Sequence, residues 1–344
     1  RRSVISYDLR DHDEGMPPAT HAPCPVPLAV SHEPAKWTTP TGVDSLTVPT
    51  NRTASPARQS MKRLLLVSFH FPPFNAIAAV RTGKFAKFLL ERGWDVRVIA
   101  ARSDAAENLP LEVPADRVLH TPWTHVDELL DRLLWLGRTK ASEAPISAPA
   151  PADLPSNAAP SAAIRLRRRL GLLRNALLHT PDSRVMWLPE ALRGTAAFLG
   201  DWRPDVVYAS APPTTTLLVA RALAHRYQVP WIAEFRDLWT DNPYYEFPEW
   251  RRTLERKWER RVVCDASALV TVSGIWRDRL RAKFGKPVAL AMNGYVPADF
   301  PAGLPATPSR DGPLHILYTG MIYPGYRDPL PLFEAIALLG DRRK

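Results

Sequence analysis

A doubly wound α/β fold built on a parallel sheet is predicted by three observations. Short apolar runs recur along the chain, each leads through a turn into an amphipathic stretch, and the order strand, helix, strand repeats from residue 61 to residue 291. The first run follows an abrupt change of texture at Met61-Lys62-Arg63. Leu64-Leu65-Leu66-Val67-Ser68-Phe69 is continuously apolar but for one serine and stops before Pro72-Pro73, as a strand covered on both faces requires. Residues 78–91 then read as a helix closed by Gly93, with Lys87 and Arg92 near its C-terminus, and residues 96–100 as the second strand. Residues 205–210 form the next strand and 214–227 the next helix. Strand 229–235, helix 249–264, strand 268–272, helix 274–284 and strand 288–291 complete the run. Between the second strand and residue 205 the pattern is poor and reads as an insertion. Its Ala/Pro-rich part is 141–163; within 144–163 eight residues are Ala and five are Pro, a composition of flexible linker.

Flanking segments differ in kind. Residues 1–60 hold nine prolines and no periodicity, and are expected to be a disordered extension. Met61 is a credible natural start, since Arg1-Arg2-Ser3 opens neither with Met nor with a signal peptide, as in a fragment or a mis-started frame. The main domain is expected to span 61–300. After a second Pro-rich stretch, Leu314-His315-Ile316-Leu317-Tyr318-Thr319-Gly320 reads as a fresh strand and 329–339 as its helix. Residues 313–344 are therefore expected to be the start of a truncated second α/β domain.

Composition narrows the function classes. Of 344 residues 45% are hydrophobic and 23% charged, ordinary for a globular chain, while 36 prolines against 16 glycines mark long linkers. Two cysteines, Cys24 and Cys264, cannot build a disulfide scaffold, and a reducing cytoplasm fits. No apolar run reaches the ~18 residues of a membrane span. The net charge of +10 favours anionic partners, but no motif that reads DNA or RNA accompanies it, so nucleic acid is not an expected partner.

Ligands of open parallel sheets bind beyond the carboxyl ends of the strands, and three segments fall there. The turn from Pro72 through Asn75 to Arg81 offers small residues, helix N–H groups and a guanidinium suited to phosphate, or is a turn with a surface arginine. It contains neither GxGxxG nor Walker A spacing, which argues against a dinucleotide dehydrogenase or an NTPase. Ser210 to Thr216 carries hydroxyls that hold a sugar hydroxyl or cap the following helix. Glu234-Phe235-Arg236-Asp237-Leu238-Trp239-Thr240-Asp241-Asn242-Pro243-Tyr244-Tyr245 mixes carboxylates, Trp and Tyr as carbohydrate sites do, with an Arg236–Asp237 salt bridge as the structural alternative. Two basic segments complete the set. Residues 164–178 put Leu166, Leu170, Leu173 and Leu177 on one helical face with five arginines mostly elsewhere, which suits an anionic membrane surface or a basic helix docked on the sheet. Residues 251–261 read as a solvated face.

In order and spacing these residues resemble the family 4 glycosyltransferases of GT-B architecture. The likeness runs through Met61 to Ser68 with Phe71-Pro72-Pro73, Phe85-Ala86-Lys87-Phe88-Leu89 and Gly93-Trp94-Asp95-Val96. It continues at Pro204-Asp205-Val206-Val207-Tyr208, Phe235-Arg236-Asp237-Leu238-Trp239, Leu269-Val270-Thr271-Val272-Ser273 and Asn293-Gly294-Tyr295. The resemblance implies two Rossmann-like domains. It also implies transfer of a sugar from a nucleotide-diphosphate-sugar donor to a glycan or lipid-linked acceptor held mainly by the first domain. Retention of configuration is implied, with no cofactor and no metal. Arg81 and Arg327 would neutralise the departing diphosphate, Asp237 and Ser210 would face the acceptor with Asp237 as the catalytic group, and Asn75, Arg236, Asn293 and Gly320 would line the substrate.

Three departures stand out. Many relatives carry Gly-Gly where this chain has Ala76-Ile77-Ala78, a His after the strand ending at Ser210, and a His-Asp pair in place of Arg236-Asp237. The paired glutamates of the donor domain are not reached, so the chain alone is expected to be inactive. The expected setting is cell-surface polysaccharide synthesis, peripheral on the inner face of the plasma membrane. Rival expectations are a nucleotide-sugar 2-epimerase, which needs no acceptor, and a non-catalytic glycan-binding half-domain.

Overall fold

The apolar runs become strands β1 (Arg63–Ser68), β2 (Asp95–Ala101), β3 (Val118–Thr121), β4 (Val206–Ala211), β5 (Trp231–Phe235), β6 (Ala268–Thr271) and β7 (Val288–Leu290). In this computed structural model the described residues are 61–103, 109–133, 171, 173–245, 247–300, 316–320, 322 and 328–339. All seven strands run parallel in one Rossmann-like sheet of order β3-β2-β1-β4-β5-β6-β7. The connecting helices are α1 (Ile77–Glu91), α2 (Val126–Leu133), α3 (Trp187–Leu199), α4 (Thr215–Tyr227), α5 (Glu249–Val263) and α6 (Gly274–Phe284).

The central strands are apolar along most of their length because both faces are covered, with polar residues near their ends. Leu65, Val67, Ile99, Val207, Ala209 and Leu269 point to one side, where Trp187 of α3, Leu217 and Leu223 of α4 and Val262 of α5 pack on them. Leu64, Leu66, Val96, Val98 and Tyr208 point to the other, against Phe85, Ala86 and Leu89 of α1. A single residue of register shift would exchange the two sets, so the pairing Leu65↔Val207 and Leu66↔Tyr208 is fixed by volume on each side.

Two expectations are corrected. The stretch between β2 and residue 205 is not mere insertion: it supplies β3 at the sheet edge and α3, whose Trp187, Ala191, Thr195 and Leu199 recur every fourth residue and are all buried. Residues 251–261 are not simply a solvated face. Arg251, Glu255 and Glu259 share the inner stripe of α5 and are buried, leaving the other charges outside. The expected extension 1–60, the linker 141–163 and residues 164–170 lie outside the described residues.

Described residues up to Asn293 form one unit and those from Gly294 onward another. In the second, residues 316–319 have no regular secondary structure where a strand was expected. The helix that follows is α7 (Leu330–Leu338).

Candidate acceptor site at the carboxyl edge of the sheet

Strand order reverses between β1 and β4, and the register sets Ser68 beside Ser210 and Ser210 beside Glu234 along the carboxyl edge. A crevice at such a reversal is where an open α/β sheet holds its ligand. Ser210 is fully buried and its hydroxyl donates to Glu234 Oε2 in a short hydrogen bond. The other oxygen of Glu234 takes Arg81 of α1, at 3.0 Å from Nε and 2.5 Å from NH2. The remaining Arg81 hydrogens go to the carbonyls of Ala291 (2.7 Å) and Met292 (3.2 Å) and to Asn293 Oδ1 (3.1 Å). Arg81 therefore clamps α1 to β5 and to the chain after β7, with its fork filled by protein groups. Expected as a phosphate ligand, it has a structural post, and Asn293 shares it. Ser210, expected to face the acceptor, supports Glu234 from beneath.

Arg236 follows β5. Its NH2 donates to Pro212 O at 2.5 Å, while its Nε is buried without a partner. Burial lowers its pKa, against the opposing pull of Glu234 and Asp237. The same guanidinium, together with Arg184, acts on His70 after β1: burial first and the two arginines second bring the imidazole down to about 4. His70 is thus neutral near pH 7 and lies stacked on Phe74, ring centroids 4.9 Å apart. Arg184 sits over Trp123 at 4.2 Å, holding the second guanidinium against an aromatic face.

Beside this basic rim opens a cavity of about 250 Å³. Phe235, Trp239, Tyr244 and Phe247 give it aromatic walls, and Asp237, Asn242 and Thr214 give it polar atoms. Asp237 is exposed at this position, whereas Phe235, Leu238 and Trp239 around it are buried. Glu255 anchors the wall from α5: its Oε2 accepts from Trp239 Nε1 (3.0 Å) and Tyr245 OH (2.9 Å), and its Oε1 from Arg251 Nε (2.7 Å). Arg251, 2% exposed, reaches the carbonyls of His179 (2.6 Å) and Asn175 (3.2 Å). Asp182 caps α4 from outside, accepting from both Thr215 N and Thr215 Oγ1 at 2.8 Å, so the cap comes from a distant loop and not from the hydroxyls of 210–216.

The other expected residues are scattered. Asn75 is exposed in the turn before α1. Gly320 lies exposed in a bend of the second unit, where an added Cβ would come within 2.9 Å of the Tyr318 hydroxyl. Arg327 lies outside the described residues, so the expected pairing with Arg81 finds no geometry here. Sequence reasoning passed over His70, Glu255 and Asp182. Only Glu255 left a usable trace, the four-residue spacing Arg251-Glu255-Glu259, which places all three on one helix face.

One further cluster joins His125, Asp127 and His179. Asp127 Oδ2 lies 3.1 Å from His179 Nε2 and 3.3 Å from His125 Nδ1, and Oδ1 accepts from Arg174 at 2.7 Å. With a guanidinium already on the carboxylate, the group ties α2 to the residues around 174–179 rather than offering an open ligand set.

The sheet, its reversal and the aromatic cavity at the carboxyl edge define a Rossmann-like domain. Residues 78–295 match the Glycosyl transferase 4-like domain, and the chain belongs to that family. No curated protein matches the sequence. Among solved structures it is similar to a sucrose-phosphate synthase from Thermosynechococcus elongatus, with 11% identity, a TM-score of 0.37, and cover of 68% of this chain and 90% of that one. A glycosyltransferase from Rickettsia africae ESF-5 is 11% identical with a TM-score of 0.32, over 68% of this chain and 44% of that one. A UDP-glucose: anthocyanidin 3-O-glucosyltransferase in complex with UDP is 12% identical with a TM-score of 0.34, over 71% and 55%. The alignment thus spans about half of each of the last two chains.

Proposed function

We propose that the chain supplies the acceptor side of a glycosyltransferase that moves a sugar from a nucleotide-diphosphate-sugar donor to a glycan or glycolipid acceptor of cell-surface polysaccharide synthesis, with the acceptor in the cavity of the first unit. The observation that carries this reading is the wall itself. Phe235, Trp239 and Tyr244 share the lining of a space of about 250 Å³ with Asp237, Asn242 and Thr214. A pyranose presents an apolar C–H face and a rim of hydroxyls, and needs both surfaces at once. The family adds the reaction class, and the resemblance in sequence adds retention and independence of metal.

Within this reading the residues divide their work. Asp237 accepts a hydrogen bond from the attacking hydroxyl and orients it, and its charge is held in balance by Arg236 beside it. Glu255 fixes the rotamers of Trp239 and Tyr245 by charge-assisted hydrogen bonds, so the wall is set before the acceptor arrives. Arg81 and Glu234 lock α1 against β5, which keeps the reversal point rigid.

The test has two readouts. Trp239 lies in the wall, so titration with oligosaccharides should change the tryptophan emission in a saturable way, and Asp237→Asn should weaken that change. Incubation of the chain joined to a donor domain carrying the paired glutamates, with nucleotide sugars, should release nucleoside diphosphate only when an acceptor is present. Conversion of the donor to an epimer without acceptor would replace this reading with the epimerase, and saturable glycan binding without turnover of any donor would leave a binding module.

A further inference from the structure

We infer that the outer face of α5 docks on an anionic phospholipid bilayer. This goes beyond the transfer reading and stands without it.

The helix carries six basic residues and three acids, but the acids are not spread evenly. Glu255 and Glu259 are buried among Arg251, Lys283, Trp239 and Thr240, which leaves Glu249 as the acid on the outside. Arg252, Arg256, Lys257, Arg260 and Arg261 remain on the outer side against that one acid, which reaches Arg252 at 3.3 Å and Arg256 at 3.7 Å, so the outer face keeps an excess of positive charge. Arg252, Arg256 and Arg260, four residues apart, form one stripe and line a groove of about 730 Å³ whose far wall includes Arg279 of α6. Asp241 is the acid in that groove, and Lys283 already holds it at 2.7 Å. Such a concentration of guanidinium groups is complementary to lipid phosphates.

Charge alone would serve any polyanion. What selects a bilayer is the other flank of the same helix, where Trp250 is 44% and Leu254 58% exposed. Trp and Leu beside arginines are the make-up of a helix lying in the headgroup region, where the indole and leucine enter the acyl boundary and the cations stay at the phosphates. Arg251 ties α5 to the carbonyls of Asn175 and His179, in the segment that also carries the exposed Leu173 and Leu177. Duplex or single-stranded nucleic acid would use the arginines but has no need of the leucines.

Sedimentation of the full chain with vesicles tests the inference. Phosphatidylcholine vesicles containing roughly a third phosphatidylglycerol should bind it and pure phosphatidylcholine should not, with binding weakened by added salt. The triple variant Arg256→Gln/Arg260→Gln/Arg279→Gln should partition on the order of 100-fold less, at about fivefold per surface arginine. Trp250→Ser/Leu254→Ser should reduce the part that persists at high salt. All five positions are on the surface, and unchanged circular dichroism and melting would show that the fold survives. Equal binding to neutral and anionic vesicles would overturn the inference, as would an unaffected triple variant. So would loss of all binding on neutralising Arg165, Arg167, Arg168 and Arg169 while the α5 variants bind normally, or retention of an oligonucleotide with no vesicle binding.

Discussion

Asp237 and His70 both interact with the charge of Arg236, and the difference between them shows what the local field does. Asp237 is exposed at the cavity and Asn keeps its shape, so Asp237→Asn should shift the melting temperature by no more than a few degrees while lowering turnover on the order of 100-fold or more, the usual loss when a group that handles a reacting proton is removed. Parallel calorimetry and product assays would read both. His70 is the reverse case. In the folded protein it takes its proton near pH 4, against 6.5 for the free side chain, because burial and the charges of Arg236 and Arg184 oppose the imidazolium. Between those values the unfolded chain binds more protons than the folded one, so stability must fall as the pH drops from 6.5 toward 4 and is unaffected by this group above 6.5. His125, also lowered by burial and Arg184, acts in the same direction. His70→Phe keeps a ring against Phe74 and removes the titration. Its melting temperature should decline less steeply between pH 6.5 and 4 than that of the parent, and parallel curves would refute the assignment.

At the level of the element, α5 shows why a polar helix face can be internal. Breaking a buried ion pair costs about 3–5 kcal/mol because the survivor is stranded without water. Glu255→Ala would strand Arg251 and also release Trp239 and Tyr245, so urea unfolding should show a loss of that order and glycan binding should weaken with it. The double replacement Arg251→Met/Glu255→Leu should recover much of the stability and little of the binding, since Tyr245 and Trp239 would remain untethered. Gly194 on α3 offers a second check of packing. A Cβ there would lie 2.9 Å from Thr121 Cγ2 and 3.1 Å from Leu119 Cδ2 on β3, so Gly194→Ala should destabilise by about 1–3 kcal/mol despite the better helix propensity of alanine. Both elements also show what a lone sequence conveys. The strands flanked by buried faces, β1, β4 and β5, are continuous apolar runs and announce themselves. β3 is a four-residue edge strand, Val118-Leu119-His120-Thr121, too short for periodicity, and α3 hides behind the disordered-looking composition that precedes it. The aromatic loop after β5 was legible because carboxylates, Trp and Tyr are crowded directly after a strand, although Trp239 itself also packs in the core. The posts of Arg81 and Ser210 were not, since their partner Glu234 is distant in the chain and only the sheet register brings it to them.

For the molecule as a whole, the chain stays tied to the sheet for three residues beyond β7. Ala291 N donates to Thr271 O at 2.8 Å, and Ala291, Met292 and Asn293 supply three of the acceptors around Arg81, so this short stretch fastens the last strand to α1, which packs on the opposite half of the sheet. The boundary between the two units falls immediately after it, between Asn293 and Gly294. Cutting on either side of that stretch should therefore have unlike effects. A chain ended after Tyr295 keeps every strand, the Arg81 cluster and the aromatic cavity, and should melt within a few degrees of the full chain and bind the same glycans. A chain ended after Leu290 keeps the same seven strands but leaves Arg81 with Glu234 alone. Hydrogen bonds to a charged group contribute about 1.5–3 kcal/mol each, less where side chains can reach water, so this shorter chain should be less stable by about 2–4 kcal/mol in denaturant titrations. Equal stability of the two chains would show that the carbonyls of Ala291 and Met292 are replaced by solvent at no cost, and that Glu234 alone holds α1 to the sheet.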